Sequence, residues 1–320
     1  MPKTRLLFST DIHGSEKCFI KFLNAGKIYK ADVLILGGDL TGKMLVPFVE
    51  QEDGSYSVYF LGKDYTLKSK NEVEDFIKRV RSIGYYAYLT TPEEVKEFSQ
   101  NPEKLNEVFE RMMVETMKRW MMIAEEKLKG TKMKLFISPG NDDTYSIDEV
   151  LKKHQSDKII YCEEMVVKVD DYHEMISLGY SNITPWKCPR DIPEDEFYER
   201  IKRLASQIEN MENAIFNIHC PPAGTTLDVA PKLDENLKPM LTLGGQVVMV
   251  NVGSTAVRKA IEEFQPLLGL HGHIHESKGF FRIGRTLCIN PGSEYSEGIM
   301  RGFLADITEK KIKDYLFVSG

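Results

Sequence analysis

The sequence predicts an α/β fold built on a largely parallel β-sheet. Short apolar runs at residues 5–8 and 33–36 are typical of buried strands, and apolar residues at helical spacing lie between them, behind the helix-capping residue Ser15. A strand, a helix and a strand within about 40 residues form a βαβ unit, which requires parallel strands. The same alternation returns from residue 132 onwards, so the pattern extends along the chain.

The composition is that of an ordinary globular protein. The chain has 320 residues, of which 42% are hydrophobic and 28% are charged, and its net charge is −6. This acidic balance argues against broad binding to nucleic acid, although a local basic groove would still permit it. No apolar run approaches the roughly 18 residues of a membrane-spanning helix, and the first residues show no export signal, so we expect a cytoplasmic protein that does not bind membranes. The five scattered cysteines are typical of reduced thiols.

The region after the first βαβ unit has a different pattern. Residues 44–62 contain two runs on either side of Asp53-Gly54, which predicts a β-hairpin. Residues 70–130 have mainly helical periodicity. We therefore expect one domain over residues 1–320, with a helical and hairpin insertion at about 44–130.

Two stretches of this insertion allow two interpretations each. The helix predicted at residues 105–128 is rich in methionine on more than one face, as expected either for a core helix or for one that also contacts a second copy of the chain. The tyrosines of "GYYAYL" at residues 84–89 fit ordinary strand packing or stacking against a base or sugar.

The remaining elements continue the α/β pattern. Residues 132–137 predict a strand, residues 192–210 a helix, and residues 279–317 a β-rich segment. The Pro/Gly-rich connection at residues 221–248 is long, and long loops in compact domains are often functional.

Polar side chains follow five of the predicted strands, at the edge where open parallel sheets bind ligands. These residues are Asp11 and His13, Asp39, Asn141 and Asp142, His219, and the histidines His271, His273 and His275. Carboxylate, imidazole and amide ligands together suit Mn²⁺, Fe²⁺, Zn²⁺ or Ni²⁺, whereas a site rich in imidazole disfavours Mg²⁺ or Ca²⁺ alone. The absence of nearby cysteine ligands argues against a closed structural zinc site.

The order of these motifs resembles that of the calcineurin-like metallophosphoesterase family. The matching segments are "DIH" at 11–13, "GGD" at 37–39, "PGND" at 139–142, "NIHCPP" at 217–222 and "GHIH" at 272–275. The resemblance covers residues 5 to about 293, and a softer match, "NPGS" at 290–293, follows the last motif. It implies a four-layer α/β/β/α sandwich, with two mixed sheets flanked by helices and a two-metal site at one edge.

The resemblance also implies a ligand set and an activity. The first metal ion would be held by Asp11, His13 and His275, and the second by Asn141, His219 and His273, with Asp39 bridging both. The cofactors would be two divalent ions (Mn, Fe, Ni or Zn), and a hydroxide between them would attack a phosphodiester or phosphomonoester. We expect a small-molecule phosphodiester in preference to a monoester.

This ligand set is chemically reasonable. Two dications neutralise the repulsion between an anionic ester and its nucleophile, and one carboxylate can bridge them through its two oxygens. An asparagine can ligate through its carbonyl oxygen and still donate hydrogen bonds through its NH₂ group. Gly38, Gly140 and Gly272 precede ligands directly, where we expect tight turns with unusual backbone angles.

The sequence departs from the family pattern at three positions. Asp142 follows Asn141 where the family often has the histidine proposed to protonate the leaving group, so Asp142 is our candidate acid, and we expect weak activity on alkyl monoesters. Lys43 stands where an arginine is frequent, and we expect a solvated side chain there in preference to a phosphate contact. His271 is extra, and we expect a packed imidazole in preference to support for the ligands.

Two other classes of function compete with hydrolysis. A non-catalytic scaffold would keep the fold and use its metal edge to bind a protein, and a regulatory metal-binding module would assemble through the Met-rich helix. Degenerate scaffolds usually lose several ligands, whereas all seven ligand positions are filled in this chain.

Overall fold

The computed structural model describes residues 3–320, in which two six-stranded sheets pack face to face between layers of helices. The strands are β1 (Lys3–Ser9), β2 (Val33–Gly37), β3 (Met44–Glu50), β4 (Tyr56–Phe60), β5 (Lys63–Leu67), β6 (Tyr85–Thr90), β7 (Lys134–Ser138), β8 (Ile159–Tyr161), β9 (Val166–Lys168), β10 (Glu174–Leu178), β11 (Ile215–Ile218), β12 (Val229–Pro231), β13 (Met249–Asn251), β14 (Leu268–Leu270), β15 (Gly279–Ile283), β16 (Thr286–Asn290), β17 (Arg301–Thr308) and β18 (Lys311–Ser319). The helices are α1 (Glu16–Ile28), α2 (Lys70–Ser82), α3 (Pro92–Gln100), α4 (Pro102–Leu128), α5 (Asp148–Lys153), α6 (Glu194–Ala205) and α7 (Thr255–Phe264). The predicted four-layer α/β/β/α sandwich is confirmed.

Both large sheets are mixed. The first has the order β18-β17-β1-β2-β7-β8, with β1, β2, β7 and β8 parallel and the last two strands of the chain antiparallel at one edge. The second has the order β15-β16-β14-β11-β10-β9, with a parallel centre and an antiparallel strand at each edge. The parallel strands of both sheets bring their carboxyl ends to one side of the molecule.

The apolar runs of the central strands are buried on both faces. In β1, Leu6 and Phe8 pack between the two sheets, whereas Leu7 packs against the helical layer. This alternation follows from the two-residue period of a strand, and burial on both faces explains why the run is continuously apolar. Helices α1, α4 and α5 cover the first sheet, and α6 and α7 cover the second.

The helices confirm two expectations from the sequence. Ser15 caps α1, because its Oγ accepts a hydrogen bond from the backbone N–H of Cys18. The Met-rich helix α4 is a core helix: Met117 and Met121 are fully buried, and Trp120 stacks on Phe19 with ring centroids 4.5 Å apart. A contact between α4 and a second copy of the chain stays a prediction.

Residues 44–90 form a separate small sheet, ordered β5-β4-β3-β6, with α2 packed on one face. The predicted hairpin at Asp53-Gly54 is confirmed, since β3 and β4 pair antiparallel around it. The tyrosines of the stretch 84–89 lie in β6, where the hydroxyl of Tyr86 accepts a hydrogen bond from the backbone N–H of Gly42, so ordinary strand packing accounts for Tyr86. Within residues 3–320, no helix combines the length and apolar character needed to cross a membrane.

A buried carboxyl near the strand ends makes stability depend on pH. Glu163 is 6% exposed, and burial raises the pKa of its carboxyl to about 8 although both oxygens lie 2.9 Å from the N–H of Gly179. In the unfolded chain this carboxyl loses its proton near pH 4.5, whereas in the folded chain it keeps the proton to about pH 8. Between these pH values the folding stability therefore falls, by up to about 1.4 kcal/mol per pH unit. We expect Glu163→Gln to reduce this fall, measured by urea unfolding at pH 5 and pH 8. An unchanged pH dependence would contradict the assignment.

Candidate metal centre

The polar residues predicted from the five motifs lie in loops at a single edge of the sandwich. The loops follow β1, β2 and β7 in the first sheet, and β11 and β14 in the second. Asp11, His13, Asp39 and His273 have positive φ angles of 52°, 36°, 50° and 67°. Such angles are uncommon outside glycine, and strained backbone of this kind concentrates at functional sites.

Glycines allow these loops to approach one another closely. Of the three glycines expected to adopt unusual angles, only Gly38 has a positive φ, of 108°. Gly140 and Gly272 are required for space instead, because a Cβ on Gly272 would lie 2.3 Å from a carboxylate oxygen of Asp11. The expectation was therefore wrong for these two residues, and the positive φ angles fall on the polar residues themselves.

One cluster joins the first, second and fifth motifs. Asp11, His13, Asp39 and His275 each offer an atom within 4.8 Å of the others. The Nε2 atoms of His13 and His275 are 3.0 Å apart, and Nε2 of His13 lies 3.5 Å from Oδ2 of Asp39. Two imidazole nitrogens that face each other at this distance converge on one point, as ligands of a common cation do.

A second cluster consists of Asp39, His219 and His273, and it shares Asp39 with the first. Nε2 of His219 lies 3.4 Å from Oδ1 of Asp39, whereas His13 faces Oδ2. The two oxygens of one carboxylate thus face two different clusters. This is the geometry that a bridging ligand requires.

Two buried atoms of the third and fourth motifs lack a hydrogen-bond partner, which is costly unless another group binds them. Oδ1 of Asn141 is such an atom, because the NH₂ group of this side chain donates to Asp191 at 2.9 Å. Nε2 of His219 is the other, and its Nδ1 lies 3.1 Å from the carbonyl oxygen of Gly37. Both atoms are potential metal ligands, and the hydrogen bonds of their neighbours orient them. The residues therefore fit divalent cations.

The charges of the two clusters depend on one another. Burial favours neutral His13 and His273 and lowers their pKa values to about 3 and about 4, so both imidazoles are neutral, as metal ligands must be. Burial also opposes ionisation of Asp11, but His219 and His275 outweigh it and lower the pKa of Asp11 to about 2. Against the same burial, Asp39 and Asp11 raise the pKa of His219 to about 10. A cation bound here would replace the proton of His219.

Three residues that support the site were not identified from the sequence. Asp143 is fully buried and accepts hydrogen bonds from the backbone N–H groups of Leu40, Thr41 and Gly140. Asp191 orients Asn141, and Oγ of Ser181 lies 3.2 Å from Nε2 of His273. Asp191 and Ser181 could have been inferred from β10, because this strand is parallel to its neighbour β11 and therefore ends at the same edge.

The soft "NPGS" match corresponds to a structural support of the last motif. The NH₂ group of Asn290 donates to the carbonyl oxygens of Gly272 and Ile274, on either side of His273. Oγ of Ser293 donates to the carbonyl oxygen of Asp11 at 2.6 Å. These hydrogen bonds join the loop of the last motif to that of the first.

Asp142 and Lys43 form an ion pair at the rim of the clusters. Nζ of Lys43 lies 2.6 Å from Oδ2 of Asp142, and the side chain of Lys43 is 48% exposed, so the lysine is in contact with solvent, as expected, and is ion-paired as well. Burial disfavours the charged lysine, but Asp142 outweighs it and raises the pKa of Lys43 above its usual value. This ion pair does not favour the predicted role of Asp142 as a proton donor.

His271 lies outside both clusters. It is fully buried, with Nδ1 2.7 Å from the carbonyl oxygen of Ile218, and burial lowers its pKa to about 4. The packed imidazole expected from the sequence agrees with this environment.

Comparisons with known proteins bear on the fold. No family model matches the chain. A segment of 161 residues is 31% identical to the uncharacterized protein MJ1162 of Methanocaldococcus jannaschii, and it covers 50% of this chain and 64% of that protein. The chain is also similar over 100% of its length to 99% of the crystal structure of TT1561 of Thermus thermophilus, with a TM-score of 0.56 at 14% identity.

A further crystal structure is similar over 98% of both chains, with a TM-score of 0.58 at 18% identity. At these identities the similarity concerns the fold. The similarity shows that the chain shares the overall fold of these two structures.

Proposed function

We propose that this protein is a two-metal phosphoesterase that hydrolyses a small-molecule phosphate ester, with a phosphodiester preferred over a phosphomonoester. The observation that carries the proposal is the position of Asp39, whose two carboxylate oxygens face separate clusters of buried imidazoles. A structural role alone would not explain why one carboxylate faces two potential cation sites.

The residues at each cluster determine which ions fit. Asp11, His13 and His275 would hold one ion, and Asn141, His219 and His273 the other, with Asp39 shared. This mixture of nitrogen and oxygen ligands suits Mn, Fe, Ni or Zn. Bound dications would supply Lewis acidity toward the phosphoryl group and would activate water at neutral pH.

The chain's own groups favour a particular kind of ester. The carboxylate of Asp142 at the rim is paired with Lys43, so this pair offers no net positive charge to attract the second negative charge of a monoester dianion. Because Nζ of Lys43 pairs with Asp142 at 2.6 Å, we propose that Asp142 does not assist a poor leaving group by protonating it. We therefore propose that the substrate is an aryl ester or a phosphoanhydride, because the leaving group of either is acidic enough to depart without a proton.

The proposal is tested by removing metal with a chelator and restoring Mn²⁺, Ni²⁺, Zn²⁺ or Mg²⁺ separately. We expect turnover of bis(nitrophenyl) phosphate with at least one of the first three ions, and slower turnover of nitrophenyl phosphate. His219→Gln should lose this activity, whereas His154→Gln, a histidine paired with Glu125 outside both clusters, should retain it. Two bound ions per chain without turnover of either ester would favour the non-catalytic scaffold.

A further inference from the structure

The loop between β10 and α6 exposes one of the chain's two tryptophans. The side chain of Trp186 is 61% exposed, whereas Trp120 is fully buried in the core. Trp186 lies in a tight turn in which the N–H of Lys187 donates to the carbonyl oxygen of Thr184, and Lys187 has a positive φ of 52°. An exposed indole ring offers a surface on which a planar ring can stack.

The turn is joined to Asn141 by one carboxylate. Oδ2 of Asp191 accepts hydrogen bonds from the backbone N–H groups of Thr184 and Cys188, and Oδ1 accepts from the side chain of Asn141. The sulfur of Cys188, two residues after Trp186, lies 3.5 Å from Oδ1 of Asp142. Trp186 is therefore two residues from a side chain that touches the rim of the candidate centre.

Other aromatic residues at this edge are occupied differently. Tyr86 is buried and binds the backbone of Gly42. The ring of Tyr295 packs against His13 with centroids 4.7 Å apart, on the side of the first cluster. Trp186 is exposed and lies in the loop that Asp191 joins to Asn141.

We propose that Trp186 stacks against a planar aromatic ring of the substrate, so that the substrate class is a phosphate ester that carries such a ring. This inference rests on the proposed phosphoesterase function. Stacking on an indole ring needs no hydrogen bond to the ligand and tolerates different rings. The two ring sources are a nucleobase, separated from the phosphate by a sugar, and an aryl group attached directly to the phosphate.

The test measures binding by calorimetry to the full chain loaded with Mn²⁺. The probes are adenosine 5′-monophosphate, phenyl phosphate and ribose 5-phosphate, which has no aromatic ring. We expect Trp186→Ala to weaken binding of at least one ring-bearing probe about tenfold and to leave ribose 5-phosphate unchanged. Loss for the nucleotide alone identifies a base as the ring, and loss for phenyl phosphate alone identifies an aryl leaving group.

Tyr172→Ala provides a matched control, because this exposed aromatic residue precedes β10, at the opposite end of the strand from the loop of Trp186. Tryptophan emission provides a second measurement, since Trp120 is shielded by Phe19 and saturable quenching would report Trp186. Equal affinities of the variant and the wild-type chain for both ring-bearing probes would overturn the proposal. In that case, turnover of bis(nitrophenyl) phosphate would still support the phosphoesterase function. Binding of a ring-bearing probe without any turnover would contradict the phosphoesterase function and leave the role of Trp186 in binding a ring intact.

Discussion

Replacement of Asp39 by asparagine should abolish most hydrolysis while leaving the fold intact. Asparagine has nearly the same shape but only one oxygen, so it cannot offer a charged ligand atom to both clusters. Residues that merely support metal ligands typically contribute 10- to 100-fold to metal affinity or activity, and we expect a loss of more than about 100-fold for a shared ligand. The measurements are the rate on bis(nitrophenyl) phosphate and the number of Mn²⁺ ions bound per chain.

The control for this variant is Asp314→Asn, which removes an exposed carboxylate from β18, a strand at the edge of the first sheet. It should retain both activity and metal content. If Asp39→Asn bound two ions and hydrolysed the ester at the normal rate, the bridging role of Asp39 would be excluded, and with it the main support for the proposed function.

Replacement of Asp143 by alanine should have the largest effect on stability among the residues around the centre. This carboxylate is fully buried and accepts hydrogen bonds from Leu40, Thr41 and Gly140, which belong to the loops of two motifs. Burial and the nearby Asp39 raise the pKa of Asp143 to about 6, and these donors favour its ionised form. Without the acceptor, several buried N–H groups would be left unpaired, at about 1–3 kcal/mol each.

We expect Asp143→Ala to lower the free energy of unfolding by about 3 kcal/mol or more, measured by urea denaturation. Asp143→Asn keeps one acceptor oxygen and should lose less, which separates missing hydrogen bonds from the missing charge. Equal urea midpoints for the alanine variant and the wild-type chain would show that Asp143 does not hold the two loops together.

The parts of the fold that depend on local pattern could be predicted from the sequence. The strands β1, β2 and β7 are continuous apolar runs because they are buried on both faces, and such runs are recognisable without a structure. The polar residues after them could be grouped because parallel strands end at a common edge. Helix α1 was recognisable from Ser15 and the apolar spacing that follows it.

The interactions that were missed join residues far apart in the chain. Asn141 and Asp191 are 50 residues apart, and neither position indicates the other. The ion pair of the exposed Lys43 was not expected, because its partner Asp142 belongs to the third motif, about 100 residues further along the chain. Asp142 and Asp143 are adjacent and chemically identical, yet one lies at the rim and the other is fully buried, a difference that only the packing of the loops determines.

The two oxygens of Asp191 hold the Asn141 amide on one side and the turn of Trp186 on the other. A cation that binds the amide oxygen of Asn141 would therefore affect Asp191. A substrate ring that orders the turn of Trp186 would affect the same side chain. Thermodynamic reciprocity requires that if one event promotes the other, the effect is equal in both directions. Occupancy by metal and choice of substrate would then be two properties of a single coupled unit.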